Sequence, residues 1–235
     1  NESGSSTSTF DPPATTTTEF EFTLKRADAP ENSTFFFRLF DTGSGLAVPK
    51  GAGNTFPSLS TASGTLIFTV GGLPSGTNTS GIVTDVTTTA TAIPFGKVAS
   101  SSPVEAAQRL TVTTNATIGY ILRLYQTQLL SSDGSDVVPT VSGTNASPVV
   151  WGIPGGQTGA YGYHTTDATL GGGVATRFAD NNTYAQFDST PREVAYSSVP
   201  VIDESTDIVF KIELASTQVA GTYNNTLVYV LTPVF

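Results

Sequence analysis

Threonine and serine fill 63 of the 235 positions, 39 of them threonine, and both recur along the whole chain. Threonine branches at Cβ, loses rotamer freedom in a helix and fits the pleated surface of a strand. The apolar residues share this preference. Ile208, Phe210, Ile212 and Leu214 recur at every second position, Tyr223, Leu227, Tyr229 and Leu231 keep one parity, and Phe20, Phe22 and Leu24 do the same. A period of two puts each set on one face of a strand. No heptad pattern accompanies it. The single helical expectation is two turns over residues 102–108, with Pro103 at the first helical position.

Further strands are expected at residues 19–25, 34–40, 65–70, 82–91, 109–114, 120–128, 149–153, 193–196, 207–214 and 222–231. The 23 Gly and 14 Pro punctuate these runs, as at Gly71-Gly72-Leu73-Pro74, Asp133-Gly134 and Gly171-Gly172-Gly173. Residues 133–173 read as loops at one end. About ten short strands between turn signals predict an all-β fold, a β-sandwich or jelly-roll-like domain with long loops. Residues 1–18 hold Phe10 as their only large apolar side chain, too little to fold alone. The chain is therefore read as an extended N-terminal arm, residues 1–18, and one elaborated sandwich, residues 19–235. With no Met and with Asn1 leading, a processed N-terminus is expected.

Charge narrows the function. Ten Lys and Arg against 19 Asp and Glu give a net charge of -9, which repels phosphate and argues against nucleic acid. No run of 18 apolar residues provides a membrane span. Zero Cys removes disulfides, thiol catalysis and Cys-zinc sites, and one His removes multi-His metal centres within a chain.

Several motifs carry possible chemistry, each with a plainer reading beside it. Phe40-Asp41-Thr42-Gly43-Ser44 resembles the catalytic loop of aspartic proteases, which needs a second carboxylate to share a proton. The nearest second copy, Asp188-Ser189-Thr190, lacks the Gly, and a β-turn explains the first. His164 precedes Asp167 without a Gly-x-Ser-x-Gly elbow, so a loop imidazole bonded to backbone is expected. Asp133 with Asp136, and Asp203 with Glu204 and Asp207, gather carboxylates that calcium could use, but without EF-hand spacing they read as solvated turns. No catalytic residue, metal ligand or cofactor is assigned, and no enzyme activity is expected.

Trp151, Tyr161, Tyr163, Tyr184 and Phe187 could stack on sugar rings or pack in a core. Seven of the ten Asn residues begin Asn-x-Ser/Thr: Asn1, Asn32, Asn78, Asn115, Asn145, Asn181 and Asn224. Chance at this composition gives about three, so these are candidate glycosylation positions of a secreted chain.

The stretch Gly221-Thr222-Tyr223 and the alternating strand after it resemble the last strand of several secreted sandwiches. Tyr223, Leu227, Tyr229 and Leu231 follow the distal motif of WxL cell-wall-binding domains, with Tyr229 where that family has Trp, and Trp151-Gly152-Ile153 loosely echoes its other motif. Spore-coat-U type fimbrial subunits end in a similar Gly-Thr-Tyr strand. Residues 114–120, Trp151-Gly152, residues 161–171, Arg177-Phe178 and residues 191–196 together are similar to uncharacterised secreted surface proteins of candidate-phylum bacteria. The resemblance implies an exported, cell-surface protein and assigns no activity.

The expected function is a structural subunit of an extracellular filament, pilus-like, or of a surface layer. Its partners would be copies of itself, joined when a strand from one copy adds to an open edge or groove of the next. Candidate donor residues are Phe10, Phe20, Phe22 and Leu24. The alternative is a surface module that binds cell wall or glycan.

Overall fold

The computed structural model of the chain describes residues 64–132 and 136–235, together with the backbone of residues 34–36 and 58–60. The chain divides into two compact units, Asn1–Gly64 and Thr65–Phe235. In the first, Thr34–Phe36 pairs antiparallel with Ser58–Ser60, Phe35 opposite Leu59. The expected arm, the strand at residues 19–25 and the Asp41 loop lie outside the described residues.

The second unit is all-β, with no helix among its described residues. Its long strands are β1 (Leu66–Gly72), β2 (Val104–Thr114), β3 (Tyr120–Gln126), β4 (Gly159–Thr165), β5 (Arg192–Ser197), β6 (Val201–Leu214) and β7 (Leu227–Pro233). One antiparallel sheet has the order β4-β6-β2-β1, the other β5-β3-β7. Short ladders such as Asn78–Thr79 with Ile82–Val83, and Val149–Val150 with Thr183–Tyr184, decorate the loops.

The two sheets face each other across one core. Leu110 and Val112 of β2, Tyr161 and Tyr163 of β4, and Ile208, Phe210 and Ile212 of β6 meet Leu122 and Leu124 of β3 and Val194 of β5. Leu227, Tyr229 and Leu231 of β7 pack on the same core, which fixes the inward parity that alternation predicts. Part of the four-stranded sheet, β4 with the adjoining halves of β6 and β2, is covered on its other face as well. There Ala107, Ala160 and Val209 pack beneath Leu73, Ile82, Val141 and Tyr184, with Trp151 and Ile153 at the margin. A sheet buried on both faces does not alternate, and every residue of β4 is buried.

This double covering explains where the strand expectations depart from the fold. β4 falls inside residues 133–173, read above as loops, because Gly159-Ala-Tyr-Gly-Tyr-His-Thr165 has no polar face to reveal. Residues 104–108 are strand rather than helix, since Ala106 and Ala107 fill opposite faces of β2. Only Ile82–Val83 of the expected strand over 82–91 forms a ladder. Beyond it, side chains bond the backbone instead: Thr88 Oγ1 accepts from Leu73 N (2.8 Å) and Asp85 Oδ2 from Glu105 N (2.7 Å). No described helix is long and apolar enough to cross a membrane.

Candidate functional site

A sheet edge must be paired, covered or left as a template for another strand. On one side of this sandwich the edges are sealed. Tyr163 of β4 exchanges both backbone hydrogen bonds with Ala185 (2.9 and 2.8 Å), while Pro139 O and Val141 N bond Tyr161 (both 3.0 Å). Along β5, Glu193 O accepts from Asn145 Nδ2 (2.8 Å), Val194 O from Thr165 Oγ1 (2.6 Å) and Tyr196 O from Thr169 Oγ1 (3.1 Å), and Tyr196 N donates to Asp167 Oδ2 (2.7 Å). On the other side, among the described residues, β1 pairs with β2 alone and β7 with β3 alone. Phe68 of β1 and Tyr229 of β7 meet edge to face there, ring centroids 6.3 Å apart.

A groove of about 1000 Å³ opens between the sheets at the end where β7 begins and β6 finishes. Its floor includes Phe210, Ile212, Leu214, Leu227 and Tyr229, and its rims are residues 90–98 and 215–226. The polar groups at its base are satisfied internally: Tyr229 Oη donates to Gln108 Oε1 (3.1 Å), and Gln108 Nε2 to Thr89 O (2.7 Å). Tyr161 Oη donates to Gln126 Oε1, which also accepts from Asn225 Nδ2 (2.9 Å). Burial pushes the Tyr161 phenol above its ordinary pKa, so it remains a donor. Among the described residues no carboxylate lines the groove; its charged residues are Lys97, which is exposed, and Lys211. Lys211 turns its ammonium to the opposite sheet face, 2.7 Å from Glu105. The far end of the sandwich is apolar and exposed: Leu66, Ile67, Ile118, Val199, Ile202 and Phe235 are 44–84 % accessible, Ile202 the most.

Two polar clusters hold the covering loops. Lys211 lies 5.1 Å from the Trp151 ring and 5.2 Å from that of Tyr184, Trp151 Nε1 donates to Glu213 Oε2 (2.8 Å), and Tyr184 Oη donates to Glu105 Oε1 (3.2 Å). These contacts fasten residues 149–153 and 183–184 over the outer face of β6. Beside them a notch of about 310 Å³ is lined by Glu105, Asn181, Asn182 and Tyr184. In the second cluster, Arg177 Nη2 meets Glu193 Oε2 at 2.9 Å with side chains only 2 % and 10 % exposed. Glu193 also accepts from Gly171 N and Gly172 N, both at 2.7 Å, and Asn145 Oδ1 accepts from Arg177 Nη2 (3.3 Å).

The sequence-derived candidates distribute as follows. His164 is on β4, not in a loop, and is 1 % exposed. Its Nδ1 lies 3.0 Å from Thr183 O, so that nitrogen carries the proton. Desolvation lowers its pKa from the ordinary 6.5 despite that bond and the fields of Asp180 and Glu105. Asp167 turns away from it to cap Thr169 N (2.6 Å) and Tyr196 N, so the two form no pair. Asp188 engages Arg192 (2.6 Å). The Asp203 run disperses: Asp203 accepts from Thr113 Oγ1 (3.1 Å), Glu204 from Tyr120 Oη (2.7 Å), and Asp207 pairs with Arg109 (2.7 Å). Among the described residues no three His, Asp or Glu gather as metal ligands.

Tyr161, Tyr163, Tyr184 and Phe187 are at most 5 % exposed and pack in the two cores; Trp151 is half-buried. Of the sequons, Asn78, Asn115, Asn181 and Asn224 are exposed. Asn145 is half-buried and spends its amide nitrogen on Tyr163 Oη and Glu193 O, both at 2.8 Å. Asn1, Asn32, Phe10, Phe20, Phe22 and Leu24 lie outside the described residues. No residue-level signal pointed to the groove, which residues 90–98 and 210–229 assemble together with single residues from several other strands and loops. No protein-family model matches the chain, and no curated protein matches it.

Proposed function

We propose that the chain is a structural subunit of an extracellular filament or surface layer, its copies joined by strand addition. The observation that carries this reading is the asymmetry of the edges. β4 and β5 are sealed by crossing loops and side chains, whereas β1 and β7 have one strand neighbour each among the described residues. Natural sheets blunt exposed edges with charge, proline or cover; β7 has proline only at its last position, Pro233, and an edge as apolar as Leu227-Val-Tyr-Val-Leu231 before it favours use as a template. A head-to-tail contact of this kind need not close and so propagates. The exposed sequons fit a surface location, and glycosylation there is part of the proposal. Electron microscopy of the purified full-length chain tests it. Fibres or extended sheets are expected; a uniform field of monomers across concentrations from micromolar upward would reject the reading.

A further inference from the structure

We infer that the groove between residues 90–98 and 215–226 is the acceptor for residues 19–25 of a second copy, with Phe20, Phe22 and Leu24 entering it. The inference rests on the filament reading and adds its contact site, partner segment and polarity.

Three observations converge on that occupant. The first is chemical. The groove floor is apolar, built from Phe210, Ile212, Leu214, Leu227 and Tyr229, and it lies beside the start of β7, whose outer edge has no strand neighbour among the described residues. An added strand needs both features at once, backbone groups to pair with and a cavity for alternate side chains. Residues 19–25 supply the match, with three large apolar side chains at period two.

The second is charge. In a chain of 19 acidic and 10 basic residues, a groove without a carboxylate in its described lining and with Lys97 at its rim is a local exception. The polar face of residues 19–25 begins with Glu19 and Glu21. Those carboxylates would meet Lys97 rather than a like charge, which sets direction as well as attraction.

The third is position. The groove lies at the end of the sandwich where β2 begins, at Val104. The unit itself starts at Thr65, where Leu66 pairs with Thr114 at the other end of β2, about 33 Å away at the usual rise per residue. The chain therefore enters the second unit at one pole, and the groove occupies the other. A contact between a segment and a groove is heterologous, and such contacts need not close.

The chain has no cysteine, so engineered thiols are unique reporters. Full-length chains carrying Thr23→Cys, which leaves all three anchors intact, are mixed with chains of different mass carrying Ala92→Cys or Ala220→Cys on the rims. Ile202→Cys at the apolar pole is the control. Under mild oxidation the rim pairs should give mixed-mass disulfide dimers at least tenfold above the Ile202→Cys control. Assembly by light scattering with cross-linking at Ile202→Cys or at neither rim would overturn the groove assignment and leave strand addition standing. A Thr23→Cys/Ala92→Cys chain that closes on itself as a monomer would overturn the second-copy occupant. Failure of the unmodified chain to assemble would reject both readings.

Discussion

Glu193→Ala should be among the most damaging single substitutions available in the second unit. It removes the counter-charge of Arg177, whose side chain is 2 % exposed, and the acceptor of Gly171 N and Gly172 N. Breaking a buried pair by deleting one partner costs about 3–5 kcal/mol, because the remaining charge stays desolvated. The Gly171 and Gly172 amides are exposed and turn to water instead, adding little to that cost. Against a total of about 5–15 kcal/mol for a domain, this is a large fraction. Glu193→Gln keeps one acceptor oxygen where two are used and also removes the counter-charge of Arg177, so it should cost about 3 kcal/mol, the lower end of the same range. Arg177→Ala and the double variant complete a cycle, with a coupling of at least about 1 kcal/mol expected between contacting residues. Urea unfolding followed by circular dichroism, with an unchanged slope, measures each. A Glu193→Ala cost under about 1 kcal/mol, or additive singles, would refute the view that this buried pair anchors residues 171–177 to β5.

Other consequences are open to direct measurement. If the chain is expressed in a host that glycosylates sequons, mass spectrometry should find Asn145 unmodified while Asn78, Asn181 or Asn224 carries glycan, since the Asn145 amide nitrogen is engaged twice inside the fold. Glycan on Asn145 in a natively folded sample would contradict that placement. His164 should make the unit lose stability as pH falls. Its folded pKa is lowered, so below its ordinary 6.5 the unfolded chain binds a proton that the folded one does not, and the loss levels off beneath the folded pKa. Denaturation midpoints from pH 7 to about 5.5 in the wild type and His164→Gln test this, with the substitution expected to flatten the decline in a window above the carboxylate range. An identical decline in both chains would place its origin elsewhere.

The β character of the chain was legible where one face of a strand meets the core and the other meets polar surroundings. Leu227, Tyr229 and Leu231 announce β7 in this way. Legibility failed where both faces are covered. β4 carries Tyr161 and Tyr163 on one side and Ala160, Gly162 and His164 on the other, so its period is silent and its glycines read as turns. Gly162 is there for closeness: a Cβ would lie 2.8 Å from the Val141 side chain and 2.9 Å from Ala185 O. Residues 102–108 misled for the same reason, two adjacent alanines serving two cores. The polar clusters were illegible because they depend on distance in sequence. Arg177 and Glu193 lie sixteen residues apart, and Trp151 reaches Glu213 across 62. The groove is harder still, being a space left between loops rather than a pattern in any of them.

Sedimentation velocity of the full-length chain, beside Phe22→Glu, tests strand addition most directly. Phe22 lies on the apolar face of the candidate donor, and burying its replacement carboxylate unpaired in an acceptor would be prohibitive, whatever the fold of the second unit. The account predicts an open series of dimers, trimers and longer species that grows with concentration for the wild type. Phe22→Glu should sediment as a monomer with an unchanged β-type circular dichroism spectrum. A wild type that stays monomeric, or a Phe22→Glu chain that forms the same series, would contradict it.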